Sequence, residues 1–418
     1  MSERDTIVVT GIGVISSIGS NRIDFWNALV AGTSGIKPIQ AFDASGHKSQ
    51  MASEVTSFEA EDYLSRPQIR KMARVSQLAA SAAVEAVGDA GLELENENRL
   101  RIGCVIGSAA GDHDHAEELY AKFKEKGPGF VNPLTVPKSI PNMPACNAAI
   151  VLGIHGPNLG VSTACATGAS AIGTATELLR GGRADVVLAG GAESTITPLV
   201  VDSYASMRVL SKRNHEPQAA SRPFDADRDG FVIGEGAGVL VLETLEHARQ
   251  RDAEPLAVLQ GYGMTSDAFN IALPEPNGEW AAAAMEDALR DAGLAPADID
   301  YINAHGTSTK VNDATETTAI RRVFGDRKVP VSSTKSMIGH TLGAAGAIEA
   351  AATVLSVHHD IAPPTINYHT RDPKCDLDVV PNEARCKAPI FSTRGYESVI
   401  TSSPFLGESE ASPAPRGS

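Results

Sequence analysis

The chain has 418 residues, with 36 Lys and Arg against 51 Asp and Glu, a formal net charge of −15 at pH 7. That balance excludes nucleic-acid binding carried by bulk charge, because phosphate recognition needs a net cationic face or a concentrated basic stripe. Hydrophobic residues at 42% and charged residues at 21% exclude disorder for most of the chain and supply enough apolar surface for several core layers.

The first element in chain order is the run at 7–13, IVVTGIG, a β-branched strand closed by Gly-x-Gly. It is too short for the core of a secretory signal, and no uncharged apolar stretch approaches the ~20 residues of a membrane span, so cytoplasmic residence is expected. Gly11-x-Gly13 lacks the third glycine of a dinucleotide fingerprint, since Ser16 holds that position, and reads as a strand turn. Segment 84–92, VEAVGDAGL, predicts an amphipathic helix stopped by glycine. A polar stretch at 112–126 and a proline-rich one at 128–144 read as insertions. Asp112, His113, Asp114 and His115 are metal-ligand types, but with Glu117 and Glu118 beside them the stretch reads as a solvated loop rather than a metal site.

Segment 161–165, VSTAC, is extended and leads into a helix made of Ala, Gly, Ser and Thr. Cys165 therefore stands where helix N-terminal amides and the helix dipole stabilise a thiolate, although a lone Cys in such a segment equally suits a small buried hydrophobe. At 257–263, AVLQGYG repeats the strand and glycine turn of 7–13, and 285–294, MEDALRDAGL, repeats the helix of 84–92. A third, looser pair sets 161–165 against 331–335, VSSTK, which leads into an Ala/Gly-rich helix over 343–357. The chain thus reads as two α/β copies of one layout, 1–254 and 255–406, followed by a polar tail at 407–418 predicted to be disordered. Five scattered cysteines without a CxxC spacing fit a reduced compartment and argue against a disulfide framework or a Cys-based zinc site.

His305, in NAHGTST, follows a strand predicted over 299–302, and His340, in KSMIGH, lies just beyond the second-half counterpart of the Cys165 turn. Each histidine alone suits a structural role. Three reactive groups at the carboxyl ends of strands in related halves point to one shared site, because that edge of an α/β sheet holds ligands.

At these residues the sequence resembles the β-ketoacyl-[acyl-carrier-protein] synthases, the type II condensing enzymes of bacterial fatty-acid synthesis. AGGAE at 189–193, SRPFD at 221–225 and the stretches 229–238 and 343–349 carry the resemblance further along the chain. It implies an α/β, thiolase-like fold, a duplicated five-layer αβαβα core. It also implies that Cys165 takes an acyl group from a carrier-protein thioester, after which malonyl-carrier loses CO2 and its carbanion attacks the acyl-Cys. His305 and His340 match two histidines that donate neutral imidazole N–H groups to the enolate-like oxygen.

Lys335 and Glu349 match a supporting pair, which as a pair alone would suit a structural role. Thr307 and Thr309 match hydroxyls that contact the pantetheine arm, and equally suit turn capping. Ala110 stands at the acyl-pocket boundary, where a bulkier aliphatic residue is frequent, and Ala272 stands where a pantetheine-contacting Thr is common. The resemblance further implies a homodimer with no cofactor or metal of its own, phosphopantetheine arriving on an acyl carrier protein. Arg66, Arg70, Lys71, Lys122, Lys124, Lys126 and Arg208 are the candidates for docking that acidic partner. Neither nucleic acid nor membrane is an expected partner.

The carboxyl terminus departs from the family pattern. Related chains carry a Gly-rich Asn-Ser-Phe-Gly-Phe-Gly-Gly loop that adds an oxyanion-hole amide to that of Cys165 and a gating Phe, followed by a last strand. Here 399–408 reads VITSSPFLGE: Phe405 and Gly407 align, the other glycines are missing, and Pro404 stiffens the turn. A changed reading frame near the 3′ end, or a divergent terminus, would account for this and would weaken acyl transfer. Rival readings are a thiolase, disfavoured by the two histidines and the lack of a second Cys in a Gly-rich context, and a polyketide ketosynthase subunit. A third is a chain-length-factor-like partner, which lacks the nucleophile that Cys165 supplies.

Overall fold

The computed structural model describes residues 5–386 and the backbone of 398–403. The strands that matter below, in chain order, are β1 (Ile7–Ile15), β2 (Ile102–Gly107), β3 (Asn158–Leu159), β4 (Val186–Glu193), β5 (Gly236–Thr244), β6 (Ala257–Met264), β7 (Ile302–Asn303), β8 (Pro330–Ser332), β9 (Asp378–Val379) and β10 (Ser398–Ser403). The helices that matter below are α1 (Arg66–Lys71), α2 (Arg74–Asp89), α3 (His113–Lys126), α4 (Thr167–Arg180), α5 (Glu279–Ala292), α6 (Lys310–Phe324), α7 (Lys335–Ile338) and α8 (Ala345–His359).

Seven strands join in the order β10-β6-β1-β5-β4-β2-β3, and a parallel sheet in the order β9-β8-β7 lies in the second half. β2 is parallel to β3 and β4, and β6 to β10, whereas β1 runs antiparallel to both β5 and β6. Side chains alternate across the main sheet. Val187 and Ala189 of β4 and Leu240 and Leu242 of β5 meet Ile172 and Leu179 of α4 and Ile348 and Leu355 of α8. Val186, Leu188, Val239 and Val241 turn to the other face, against Leu78, Ala82 and Ala86 of α2. Both faces are covered, which is why these strands read as unbroken apolar runs. With α5 packed on β6 and beside α6, the layers run α2, sheet, α4 with α8, second-half strands, then α5 with α6. This is the thiolase-like αβαβα arrangement.

The duplication is visible atom by atom. A Cβ on Gly11 would stand 2.3 Å from the Ala86 carbonyl oxygen, and one on Gly261 would stand 2.3 Å from that of Ala288. Asp89 accepts the Ile12 amide at 2.9 Å, and Asp291 accepts the Tyr262 amide at 3.0 Å. The Gly-x-Gly pairs therefore let α2 and α5 lie directly on β1 and β6, a packing role rather than a nucleotide-binding one. β1 and β6 also pair directly, Ile7 with Leu259 and Val9 with Ala257, so the halves share a hydrogen-bonded seam.

Two sequence expectations are corrected. The stretch expected as a polar loop at 112–126 is mostly the helix α3: Asp112 caps it by accepting the His115 amide at 3.1 Å, and Gly127, at φ 82°, ends it. It carries no buried side chain, so its sequence lacked the apolar stripe by which a helix is found. The third repeat pair was also set in the wrong register. The partner of α4 is α8, and each is preceded by a short 3-10 turn, Ala164–Ala166 and Leu342–Ala344, whose first residue has positive φ (51° and 46°). The counterpart of Cys165 is thus Gly343 rather than Lys335, and the link from strand to turn is longer in the second half, 333–341 with α7 and His340 against 160–163 in the first.

All five cysteines are free, and among the described residues no helix is long and apolar enough to cross a membrane. The tail at 407–418 lies outside the described residues, as does Phe405.

Candidate active site

The carboxyl ends of β2, β3, β4, β7 and β8 meet along one edge, and the residues just past them build the site. Cys165 sits in the turn directly ahead of α4, half-buried. Ala164 beside it is held at φ 51°, a conformation that costs a residue with a Cβ about 1 kcal/mol or more. Thr167 secures it, its hydroxyl donating to the Ala164 carbonyl at 2.7 Å and accepting the Thr163 amide at 2.8 Å. The turn sets Cys165 two residues ahead of α4, at the helix end whose amides and dipole favour a thiolate.

His340 follows Gly339, which has φ 63°, and its amide donates to the Val232 carbonyl at 2.7 Å. Its Nδ1 accepts the Leu342 amide at 3.2 Å, so the neutral ring carries its proton on Nε2, and Nε2 stands 3.1 Å from Cys165 Sγ. Phe231 packs edge-on against this ring at 5.3 Å, and His305 stands perpendicular to it, also at 5.3 Å between centroids.

Lys335 is 1% exposed and does three things at once. Its Nζ donates to the His305 carbonyl at 2.7 Å, lies 3.3 Å from His305 Nδ1, and pairs with the Glu349 carboxylate. An ammonium is only a donor, so it holds His305 in the same Nε2–H tautomer as His340. Burial first, and then the ammonium of Lys335, push both imidazoles well below their ordinary range, so both are neutral donors at neutral pH. Burial raises the Glu349 carboxyl, and Lys335 opposes that shift.

Cys165 Sγ and one nitrogen of each histidine lie within 4.8 Å of one another, a spacing that could hold a thiophilic cation. The buried ammonium on His305 opposes added positive charge there. Two neutral N–H groups beside a thiol suit a carbonyl oxygen that gains negative charge better than they suit a metal.

Sequence reasoning missed the groups that hold these loops in place. Glu316 of α6 is buried and accepts the amides of His305 at 2.7 Å and Gly306 at 2.8 Å, and burial lifts its carboxyl to about 7. Arg228, 2% exposed, donates to the Thr309 carbonyl at 3.0 Å and the Lys310 carbonyl at 3.1 Å and pairs with Asp372. Ser308, between the two threonines, is strained at φ 72° and is tied by its amide to Asp313 and by its hydroxyl to the Arg222 amide. The readable signal was the buried polar face of α6, where Asn312, Asp313, Glu316 and Thr317 replace an apolar stripe.

The remaining candidates fall as follows. Thr307 is fully buried with its hydroxyl 3.0 Å from that of Thr309, and Thr309 caps α6 by accepting the Asn312 amide. Ala110 is half-buried in the turn between Ser108 and Gly111, beside Ala109, whose carbonyl accepts the Ser162 hydroxyl at 3.2 Å. Arg66, Arg70 and Lys71 are exposed on α1, Lys124 on α3, and Arg208 at a positive-φ position after the helix Pro198–Ser206. None of these five is in an ion pair among the described residues.

Comparison with known proteins places the chain among its relatives. Residues 4–248 match the family model "Beta-ketoacyl synthase, N-terminal domain", and 256–369 match "Beta-ketoacyl synthase, C-terminal domain". A 3-oxoacyl-[acyl-carrier-protein] synthase 2 of Coxiella burnetii is 46% identical over 385 residues, covering 92% of this chain and 93% of the relative. A solved structure described as the ishigamide ketosynthase/chain length factor superimposes with a TM-score of 0.87 at 36% identity, covering 96% of each chain. A type II polyketide synthase ketosynthase, solved in complex with its acyl-carrier protein, gives a TM-score of 0.85 at 36% identity, over 92% of this chain and 94% of that one.

Proposed function

The chain belongs to the β-ketoacyl synthase family, and we infer that it condenses an acyl group with malonyl-carrier protein, losing CO2, to give a 3-oxoacyl-carrier two carbons longer. It is an acyltransferase of fatty-acid synthesis. The geometry supports the following roles within the reaction. Cys165 thiolate attacks the acyl thioester carbonyl, the carbon–sulfur bond to phosphopantetheine breaks, and the released thiolate takes up a proton. Malonyl-carrier then loses CO2, and the electron pair of the broken bond moves into an enolate whose oxygen receives the Nε2–H groups of His305 and His340. The carbanion attacks the acyl-Cys carbonyl, a carbon–carbon bond forms, and Cys165 leaves as thiolate. The observation that carries this reading is His340, anchored at Nδ1 by the Leu342 amide with Nε2 3.1 Å from Cys165 Sγ.

The partner is an acyl carrier protein, as the names of the relatives and the carrier-bound neighbour support. Its acidic surface fits the exposed cations on α1 and α3 and at Arg208, and Thr307 and Thr309 border the path of its pantetheine arm. A homodimer is proposed on the edge strand β3, whose Asn158 and Leu159 are exposed and which has β2 alone as a ladder partner among the described residues. Cytoplasmic residence and freedom from any metal or cofactor of its own complete the reading.

A purified mixture of this protein with an acyl-carrier and malonyl-carrier tests it by mass spectrometry of the carrier-bound product. A single two-carbon extension to a 3-oxoacyl chain is expected. Repeated extension without keto reduction would favour the polyketide ketosynthase, a reading supported by the solved neighbours at 36% identity and opposed by curated fatty-acid relatives at 43% to 46%.

A further inference from the structure

Glu193 ends β4, an apolar strand buried along its whole length, and is itself 0% exposed. A carboxylate in such a place must be bound on every side to be tolerated. Its Oε1 accepts the Ser108 hydroxyl at 2.9 Å. Its Oε2 accepts two amides from opposite parts of the chain, Ala109 at 2.9 Å and Gly343 at 3.1 Å. The Ser108 hydroxyl in turn accepts the Gly111 amide at 2.9 Å, so the turn that carries Ala110 is tied to this side chain at both ends.

Gly343 and Leu342 are consecutive residues of the 3-10 turn after His340. The Leu342 amide holds His340 Nδ1 at 3.2 Å, while the next amide, that of Gly343, is held by Glu193. Leu342 is kept at φ 46°, so the turn is strained and needs an external anchor to stay where it is. We propose that Glu193 is the positioning residue for His340: it fixes the turn whose amide sets the His340 tautomer, and it joins that turn to the Ala110 loop through a single carboxylate oxygen. The inference rests on the condensing role read above for His340.

Because Oε2 is shared, displacement of the Ala110 loop reaches the His340 turn without passing through the thiol. Gly343 marks the tightness of the junction, since a Cβ there would come within 2.5 Å of the Ala109 nitrogen and 2.7 Å of Glu193 Oε2. Glu193→Ala removes the anchor, Gly343→Ala wedges the junction while keeping the carboxylate, and Glu193→Gln retains one oxygen for the two amides.

The test reads the His340 tautomer by nitrogen NMR of histidine-labelled full-length protein, with His340→Ala to assign the signal, alongside condensation kinetics. Wild type and Glu193→Gln should show a single Nε2–H tautomer. Glu193→Ala and Gly343→Ala should show a mixture, with kcat down about tenfold or more and KM for malonyl-carrier within about twofold of wild type. An unchanged tautomer in Glu193→Ala, or equal losses in Glu193→Gln and Glu193→Ala accompanied by a raised KM, overturns the proposal. The NMR signal needs no substrate. A wild-type protein that shows the single tautomer and no condensation would therefore refute the functional reading and leave the positioning role standing.

Discussion

Lys335 and Glu349 pair at the base of the site, and the same ammonium reaches the carbonyl of His305 at 2.7 Å. One cation thus balances a largely buried acid and orients the His305 ring. Lys335→Met should leave Glu349 buried without its counter-charge and cost on the order of 3 kcal/mol of stability. Adding Glu349→Leu should recover most of that loss in a urea titration, yet condensation should stay suppressed because His305 Nδ1 has lost its donor. Recovery of both would make the pair purely structural.

His305 and His340 are expected to differ in what they serve. His340 Nε2 stands 3.1 Å from the sulfur, whereas the His305 ring, with a nitrogen within 4.8 Å of the same sulfur, is the one that Lys335 holds at Nδ1. His305→Ala should lower malonyl decarboxylation about a hundredfold, the scale of one lost oxyanion donor, while transfer of the acyl group to Cys165 continues. Carbon dioxide release and acyl-enzyme formation, followed separately, check this. Equal loss of both would place His305 in acyl transfer as well.

Glu316 makes a prediction about pH. Its carboxyl is lifted from 4.5 to about 7 by burial, so between those values the folded protein holds a proton that the unfolded chain has released. The stability from this group is complete below about pH 4.5 and is lost as the pH rises through 7. Glu316→Gln cannot ionise and should lack this part of the pH dependence, gaining on wild type between pH 5 and 8. Parallel stability curves for the two proteins over that range would show that Glu316 does not titrate there.

The overall −15 charge would repel an acidic carrier protein, so recognition has to be local. Arg66→Glu, Arg70→Glu and Lys71→Glu, combined on α1, should raise KM for the carrier about tenfold at low ionic strength and leave kcat at saturation near wild type. Added salt should shrink the difference, since exposed charges are screened within about 10 Å at 0.1 M. A KM that does not respond to the reversal would move docking away from α1.

What the sequence made legible was whatever repeated or carried unusual chemistry. Gly11-x-Gly13 and Gly261-x-Gly263 announced the duplicated strand and helix, and Cys165, His305 and His340 stood out as reactive groups at strand ends. Less legible were groups whose significance depends on distant partners. Glu193 and Gly343 are 150 residues apart in the chain and 3.1 Å apart in the fold, and neither has a local pattern that announces the other. Arg228 reads as one charge among many in a polar stretch, although it is 2% exposed and binds the backbone at the start of α6. The register of the third repeat failed because the link from strand to turn is longer in the second half, 333–341 against 160–163. α3 was missed for the opposite reason, having no buried face to impose a period.

In the proposed reaction Cys165 carries the acyl group and His340 stands beside it as a donor. The most direct measurement is peptide mass spectrometry of the full-length protein after incubation with an isotopically labelled acyl-carrier, followed by a chase with malonyl-carrier. The account predicts label on the peptide containing Cys165, none in Cys165→Ala, and loss of the label on the chase as a labelled 3-oxoacyl-carrier two carbons longer appears. Label on another residue, or no acylation of wild-type protein by a carrier that a related synthase accepts, would contradict it.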